Sequence, residues 1–259
     1  MKKQVVKIVK IGGKLIENEA KLLPFLKDFA LMQGPKVLVH GGGKMATEMS
    51  GKLGYETKML DGRRITDANA MQVITMVYGG LINKNIVAKL QALNCNAIGL
   101  CGADGKSIVS KKRPVREVDY GYVGDIVKVD EAFISGLLED ELVPVFSAIS
   151  YSEDGQLFNT NADSVASEIA RALSAKFEPE LYYCFEKKGV LQDPEDDSSV
   201  IENIDGAKYQ ELLEKKIISE GMLPKLQNCF EALEKGVERI YLGDSGLLNR
   251  NTLHTKIIK

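Results

Sequence analysis

Gln4-Val5-Val6-Lys7-Ile8-Val9-Lys10-Ile11-Gly12-Gly13 sets a β-branched run directly against a glycine pair. The run reads as a strand, and the glycines as the turn that ends it. The same grammar recurs at Lys36–His40 (KVLVH), which leads into Gly41-Gly42-Gly43-Lys44. Between these strands, Asn18–Met32 has helical spacing, and Lys44–Leu53 continues as a second helix. After a polar turn at Asp61–Arg64, Thr66–Leu93 reads as a long helical region broken at Gly79-Gly80. Asn96–Cys101 (NAIGLC) and Leu142–Ile149 (LVPVFSAI) are further core strands, and Ala162–Leu173 is a helix. Short β-branched runs thus alternate with amphipathic stretches. That predicts an α/β fold with a mainly parallel central sheet, whose active groups gather at strand C-termini.

Residues 103–130 interrupt this order. They are rich in glycine and charge, with alternation at Lys106–Val109 and Tyr122–Val127, and predict a hairpin-like insertion. Phe177-Glu178-Pro179-Glu180 is polar, carries a proline, and reads as a boundary between two lobes, 1–178 and 179–259. Beyond it come a strand at Leu181–Phe185, helices near Ala207–Lys216 and Lys225–Lys235, and a strand at Arg239–Leu242. The acidic stretch Asp193–Ser199 has two readings, a solvated turn and a metal-binding loop.

Lys plus Arg total 34 against 36 for Asp plus Glu, a formal net charge of −2 over 259 residues. No basic excess or aromatic-rich basic stretch points to nucleic acid. The N-terminus lacks an apolar core and a cleavage site, so it reads as a strand and not a signal. No apolar stretch approaches a membrane span. Cys95, Cys101, Cys184 and Cys229 show no ligand spacing and read as small buried residues of a reducing cytosol. The only histidines are His40 and His254. A zinc site or a Ser-His-Asp triad would have little to work with.

The remaining chemistry lies in glycines and lysines. Gly12-Gly13 and Gly41-Gly42-Gly43 each follow a strand, where backbone N–H groups can approach phosphate oxygens. The second run is not a Walker loop, because Met45 follows Lys44. Gly41-x-Gly43-x-x-Ala46 does fit a relaxed dinucleotide fingerprint, with Asp61 the nearest acidic candidate. Lys10 and Lys225 read either as phosphate-holding cations or as lysines lying along apolar surface. Asp163 has an N-cap alternative, Asn159 and Asn161 a turn alternative, and Arg64 is a surface charge or a carboxylate clamp. Taken together, they supply positive charge and amides where phosphoryl transfer needs them. A carboxylate acceptor is already ionised, so the scarcity of histidine is no obstacle.

At this point the chain resembles the amino-acid-kinase family over nearly its whole length. The motifs are Lys10–Gly13 (KIGG), Val39–Lys44 (VHGGGK), Asp61–Thr66 (DGRRIT), Asn83–Val87 (NKNIV), Val118–Gly124 (VDYGYVG), Gly155–Asp163 (GQLFNTNAD) and Gly221–Lys225 (GMLPK). The resemblance implies a three-layer α/β/α sandwich. An N-terminal lobe (1–178) would bind an acyl amino acid and dimerise, and a C-terminal lobe (179–259) would bind ATP. It implies phosphorylation of the side-chain carboxylate of N-acetyl- or N-succinyl-L-glutamate, in arginine biosynthesis, with Mg2+ carried by the nucleotide and no metal site of the protein's own.

By position, Lys10 and Lys225, on separate lobes, would stabilise the transferring group and Asp163 would organise both. Gly12, Gly13, Gly189 and Met222 would contact the nucleotide. Gly42, Gly43, Arg64, Asn159 and Asn161 would hold the substrate. The chain departs from the family pattern at Glu186, where aspartate is usual, and at His254-Thr255, where glycine precedes threonine. The early first strand implies a cytoplasmic homodimer insensitive to arginine, paired through the helix around Asn83–Leu93. Two rivals stand beside this reading: a nucleotide-binding sensor without turnover, and a dinucleotide-dependent oxidoreductase.

Overall fold

The opening run forms β1 (Val5–Ile11), in which Val6, Ile8, Val9 and Ile11 are completely buried. Gly12 precedes a one-turn helix, α1 (Gly13–Glu17). Asn18 then caps α2 (Glu19–Leu31) by accepting the Lys21 amide. β2 (Lys36–His40) is buried throughout and turns through Gly41 and Gly42 into α3 (Gly43–Lys52). A hairpin follows, β3 (Lys58–Leu60) with β4 (Arg63–Ile65). The computed structural model describes residues 3–60, 62–193, 195–215, 217–218, 222–249 and 252–259, so Asp61 and Gly221 lie outside the described residues.

From Ala68 to Ala92 the chain is helical throughout: α4 (Ala68–Ile74), a π-helical stretch at Thr75–Ile82, and α5 (Asn83–Ala92). The break expected at Gly79-Gly80 is therefore a widened π turn. Burial of Val77, Tyr78 and Ile82 on that stretch outweighs the helix cost of two glycines. After β5 (Ala97–Leu100), β6 (Ile108–Lys112) and β7 (Gly124–Val129) pair antiparallel as the predicted insertion. Then come α6 (Glu131–Glu139), β8 (Val143–Ser147), β9 (Ile149–Tyr151), β10 (Leu157–Asn159) and α7 (Ala162–Leu173). The last elements are β11 (Glu178–Cys184), β12 (Asn203–Ile204), α8 (Gly206–Glu214), α9 (Leu223–Glu234), β13 (Arg239–Gly243) and β14 (Thr255–Ile257). This is the expected mixed α/β fold on a mainly parallel sheet.

Two compact units make up the fold: Val37–Val165, and the segment up to Lys36 with Ala166–Lys259. In the second, the strands run β12-β14-β13-β11-β1, all parallel except β14 against β13. In the first, β2-β8-β5 are parallel, with a separate sheet β10-β9-β6-β7 and the β3–β4 hairpin. Among the described residues, no helix is long and apolar enough to cross a membrane.

Phe177–Glu180 is not a linker. It opens β11, with Glu178 and Pro179 in register with Val5 and Val6. Its charges are spent inside the sheet. Glu180, 4% exposed, pairs with Arg239 (2.8 Å) and accepts the Tyr182 hydroxyl (2.7 Å), while Arg239 also reaches Glu178 (3.3 Å). Pro179 lacks an N–H, yet its carbonyl accepts the Glu238 amide (3.0 Å). The compact units consequently cut the chain differently from 1–178 and 179–259, because β1 belongs with β11. The acidic stretch is a turn: Asp193 and Asp196 accept the amides of Glu195 and Ser198.

Three distant motifs are sewn together in Val37–Val165. Thr66 donates its amide to Tyr120 (2.9 Å), and Tyr122 donates to Thr66 (2.7 Å). Asn159 donates its amide to Tyr122 (2.9 Å) and its side-chain Nδ2 to Thr66 Oγ1 (3.0 Å). The crossing requires Gly121, whose φ is +70° and where a Cβ would lie 2.2 Å from the Thr66 carbonyl oxygen. Gly121→Ala is expected to lose about 1–3 kcal/mol of stability, read as a lower urea midpoint at unchanged slope.

Candidate active site

In the unit built on β1, Lys10 is the penultimate strand residue and lies in register with Tyr183 of β11. Lys225, in the first turn of α9, holds its ammonium 5.7 Å from the Tyr183 ring centroid and 4.5 Å from that of Phe185. Both cations therefore sit at the C-terminal end of one parallel strand pair, within one compact unit and not on separate lobes. Cys184 reports their joint field. Burial pushes its thiol up to about 12, while the charges of Lys10 and Lys225 both pull it down.

Gly12 and Gly13 follow Lys10, and a Cβ at either would meet nothing nearer than 3.8 Å. Packing does not demand these glycines, which suits them to bring backbone amides close to a ligand. The following helix has only five residues and adds little positive end. Glu186, the departure from the family pattern, forms an exposed ion pair with Lys14.

Gly189 and Met222, expected to meet the nucleotide, line one pocket of about 100 Å³ with Val190, Leu191, Ile217 and Ile218. Gly189 also has a packing reason, since a Cβ there would lie 2.5 Å from Thr255 Oγ1. That hydroxyl accepts the Val190 amide (2.8 Å) and donates to the Ile201 carbonyl (2.8 Å). Thr255 thus packs behind Gly189 and Val190, and the preceding His254 turns back to the Thr252 carbonyl (2.9 Å).

In Val37–Val165, the Gly41–Gly43 turn leaves the end of β2. Gly42 is pressed by the π stretch: a Cβ there would fall 2.2 Å from Ile82 Cδ1 and 3.0 Å from Tyr78 Cε1. Arg64 is no surface charge. Its buried guanidinium donates from Nη2 to the Gly43 carbonyl (2.7 Å) and Thr47 Oγ1 (2.6 Å), and from Nη1 to Thr57 Oγ1 (3.2 Å). Two of its five N–H groups remain for a ligand.

Asn161, not Asp163, caps α7: its Oδ1 accepts the amides of Asp163 (2.8 Å) and Ser164 (3.0 Å). Asp163, half-buried in the first helical turn, is released from the capping role. Ala162 lies beside the glycine turn, 3.7 Å from where a Gly41 Cβ would be.

His40 was legible only as one of two histidines beside glycines, and its part in the site was missed. It is wholly buried, with Nδ1–H donating to the Gly41 carbonyl (2.9 Å) and Nε2 accepting from Asn83 Nδ2 (3.0 Å). Asn83 also donates to the Val145 carbonyl (2.9 Å), so the imidazole is locked neutral and braces the turn. Tyr183, Phe185 and Tyr78 were also missed, because aromatic residues in strand and helix patterns read as core.

The sequence profile of the amino acid kinase family matches residues 6–244, and the chain belongs to that family. Among its relatives, the acetylglutamate kinase of Bacteroides fragilis is 52% identical over 93% of this chain and 92% of its own. That of Bacteroides thetaiotaomicron is 53% identical over 91% of each. Among solved structures, N-acetylglutamate synthase from Neisseria gonorrhoeae, complexed with coenzyme A and N-acetyl-glutamate, superposes with a TM-score of 0.83. That match, at 21% identity over 100% of this chain and 60% of the other, shows a shared fold. Family membership places the Gly41–Ala46 turn among kinases and removes the oxidoreductase reading.

Burial lowers His40 to about 4 against the ordinary 6.5. The unfolded chain therefore binds more protons between those values, and stability falls as pH drops from about 6.5 toward 4. The loss should approach roughly 3 kcal/mol. Urea midpoints at pH 7 and 4.5 should differ more for the wild type than for His40→Gln.

Proposed function

We propose that the protein transfers the γ-phosphoryl group of ATP to the side-chain carboxylate of an N-acylated L-glutamate, as a step of arginine biosynthesis. The acceptor is N-acetyl-L-glutamate or N-succinyl-L-glutamate, and the product an acyl phosphate. The observation that carries this is the pair Lys10 and Lys225 flanking Tyr183, beside the backbone amides at Gly12 and Gly13. The names of relatives at 52–53% identity support the same acceptor.

One carboxylate oxygen attacks the γ-phosphorus, the bond to the β-phosphate bridging oxygen breaks, and ADP leaves with the electron pair. The acceptor is already ionised, so no proton has to be removed. The barrier is the meeting of two anions, and fixed cations and amides lower it. Lys10 and Lys225 neutralise the transferring group, and Asp163 organises the lysines. Gly12 and Gly13 hold phosphates, and Gly42 and Gly43 the γ-phosphoryl group and the acceptor. Gly189 and Met222 face the nucleotide, and their pocket, mainly apolar but also lined by Lys187, suits a base.

The substrate assignments follow from which atoms are spent. Arg64 offers its two remaining N–H groups to a carboxylate. Asn159 has given Nδ2 to Thr66, leaving Oδ1 to accept from the substrate amide. Asn161 has given Oδ1 to the cap, leaving Nδ2 to donate. In this reading Val37–Val165 holds the acyl acceptor, and residues 179–259 hold ATP together with Lys10, Gly12 and Gly13. Mg2+ arrives on the nucleotide; among the described residues no three His, Cys, Asp or Glu side chains are grouped to hold a metal.

Incubation with ATP, Mg2+ and either acylglutamate, trapped with hydroxylamine, should give a hydroxamate. Lys10→Ala and Lys225→Ala should each lower kcat about 100-fold or more with the protein still folded. A wild type that binds ATP but yields no hydroxamate would instead be the sensor, and a near-normal kcat in either variant removes that lysine's role.

We also propose a cytoplasmic homodimer paired through the helix around Asn83–Leu93. Met76 and Leu81, both exposed on the stretch running into α5, support an apolar contact there. Light scattering should give twice 28.5 kDa, and a hexameric mass would sink the idea.

A further inference from the structure

Tyr78 takes no part in the assignments above, yet it lies against two of the substrate glycines. Its ring supports the turn from below, with Cε1 3.0 Å from where a Gly42 Cβ would be, and its hydroxyl is 3.8 Å from the corresponding point at Gly43. The residue is 5% exposed. Among the described residues, its hydroxyl makes no hydrogen bond. Burial holds the phenol above its ordinary value, while the Arg64 charge, close enough to be felt, works the other way. The group is a neutral donor at neutral pH.

The oxygen is not among the enclosed polar atoms left without a partner, so it keeps access to the space beside the turn, where a ligand could meet it. A phenylalanine would fill the same ring-shaped space without that donor. The hydroxyl is therefore surplus to packing, and its neighbours Gly42, Gly43 and Arg64 all belong to the acceptor side, with Gly42 and Gly43 also reaching the γ-phosphoryl group.

We propose that the Tyr78 hydroxyl donates a hydrogen bond to an oxygen of the bound acylglutamate, beside Gly43 and Arg64, and so helps determine which acceptor is bound. This rests on the acceptor reading given above. It makes the π-helical stretch part of the substrate site and not only a support for it. A donor aimed at an anionic or carbonyl oxygen favours acylated amino acids over apolar analogues of the same length.

Tyr78→Phe keeps the ring and deletes only the oxygen. Its KM for N-acetyl-L-glutamate should rise about tenfold or more, with KM for ATP and the melting temperature unchanged. Calorimetric titration with N-acetyl-L-glutamate should show the same weakening without turnover. A KM within twofold of wild type overturns the contact, as does a parallel rise in both KM values or a lowered melting temperature that accounts for the loss. A wild type that yields no hydroxamate sinks the kinase reading; an active wild type with an unaltered Tyr78→Phe sinks only the Tyr78 contact.

Discussion

The parallel pairing of β1 with β11 is the constraint from which the rest of the chemistry follows. It brings Tyr183 alongside Lys10 and Cys184 alongside Ile11, across most of the chain's length. Parallel strands cannot be joined by a tight turn, so the ordering entropy of a long crossover has to be offset by burial. Val6, Ile8, Val9 and Ile11 of β1 and the buried Leu181, Tyr182, Tyr183 and Cys184 supply that burial. Once the pair is formed, the strand ends fix where Lys10 stands, and α9 delivers Lys225 over the same tyrosine. Two like charges are thus brought to one strand end by the burial of apolar neighbours, with the Tyr183 and Phe185 rings facing the Lys225 ammonium.

The acceptor side is held by a different kind of force. Buried polar atoms there are satisfied one against another: His40 between Gly41 and Asn83, Arg64 across Gly43, Thr47 and Thr57, and Asn159 on Thr66. Each bond is worth little by itself, but each is costly to leave unmade in a buried setting. The network therefore specifies one geometry for the glycine turn.

Much of this was legible before any coordinates. The strand–turn–helix order around Gln4–Gly13 and Lys36–Lys44 followed from β-branched runs and glycine punctuation, and the hairpin insertion from alternation. Ala162–Leu173 came out residue for residue. Two misreadings share a cause. Phe177–Glu180 looked like a lobe boundary because its charges were visible and their partner, Arg239, was not. Gly79-Gly80 looked like a break because helix propensity is local, whereas the π stretch is held by what Val77, Tyr78 and Ile82 bury. The cap alternative for Asp163 falls away because Asn161, two residues earlier, supplies the capping oxygen.

By itself, the sequence determined the class of fold, the family, and the residue types able to manage phosphate and carboxylate groups, because these are written in local periodicity and motif spacing. Only the tertiary structure decided which atoms of those residues are already spent. Asn159 keeps its oxygen, Asn161 keeps its amide nitrogen, Arg64 keeps two N–H groups, and Lys10 and Lys225 share one strand end. Hydrogen bonding saturates, and partners such as Thr66 for Asn159 and Gly43 for Arg64 come from distant parts of the chain, so the remaining capacity of a side chain cannot be read along it.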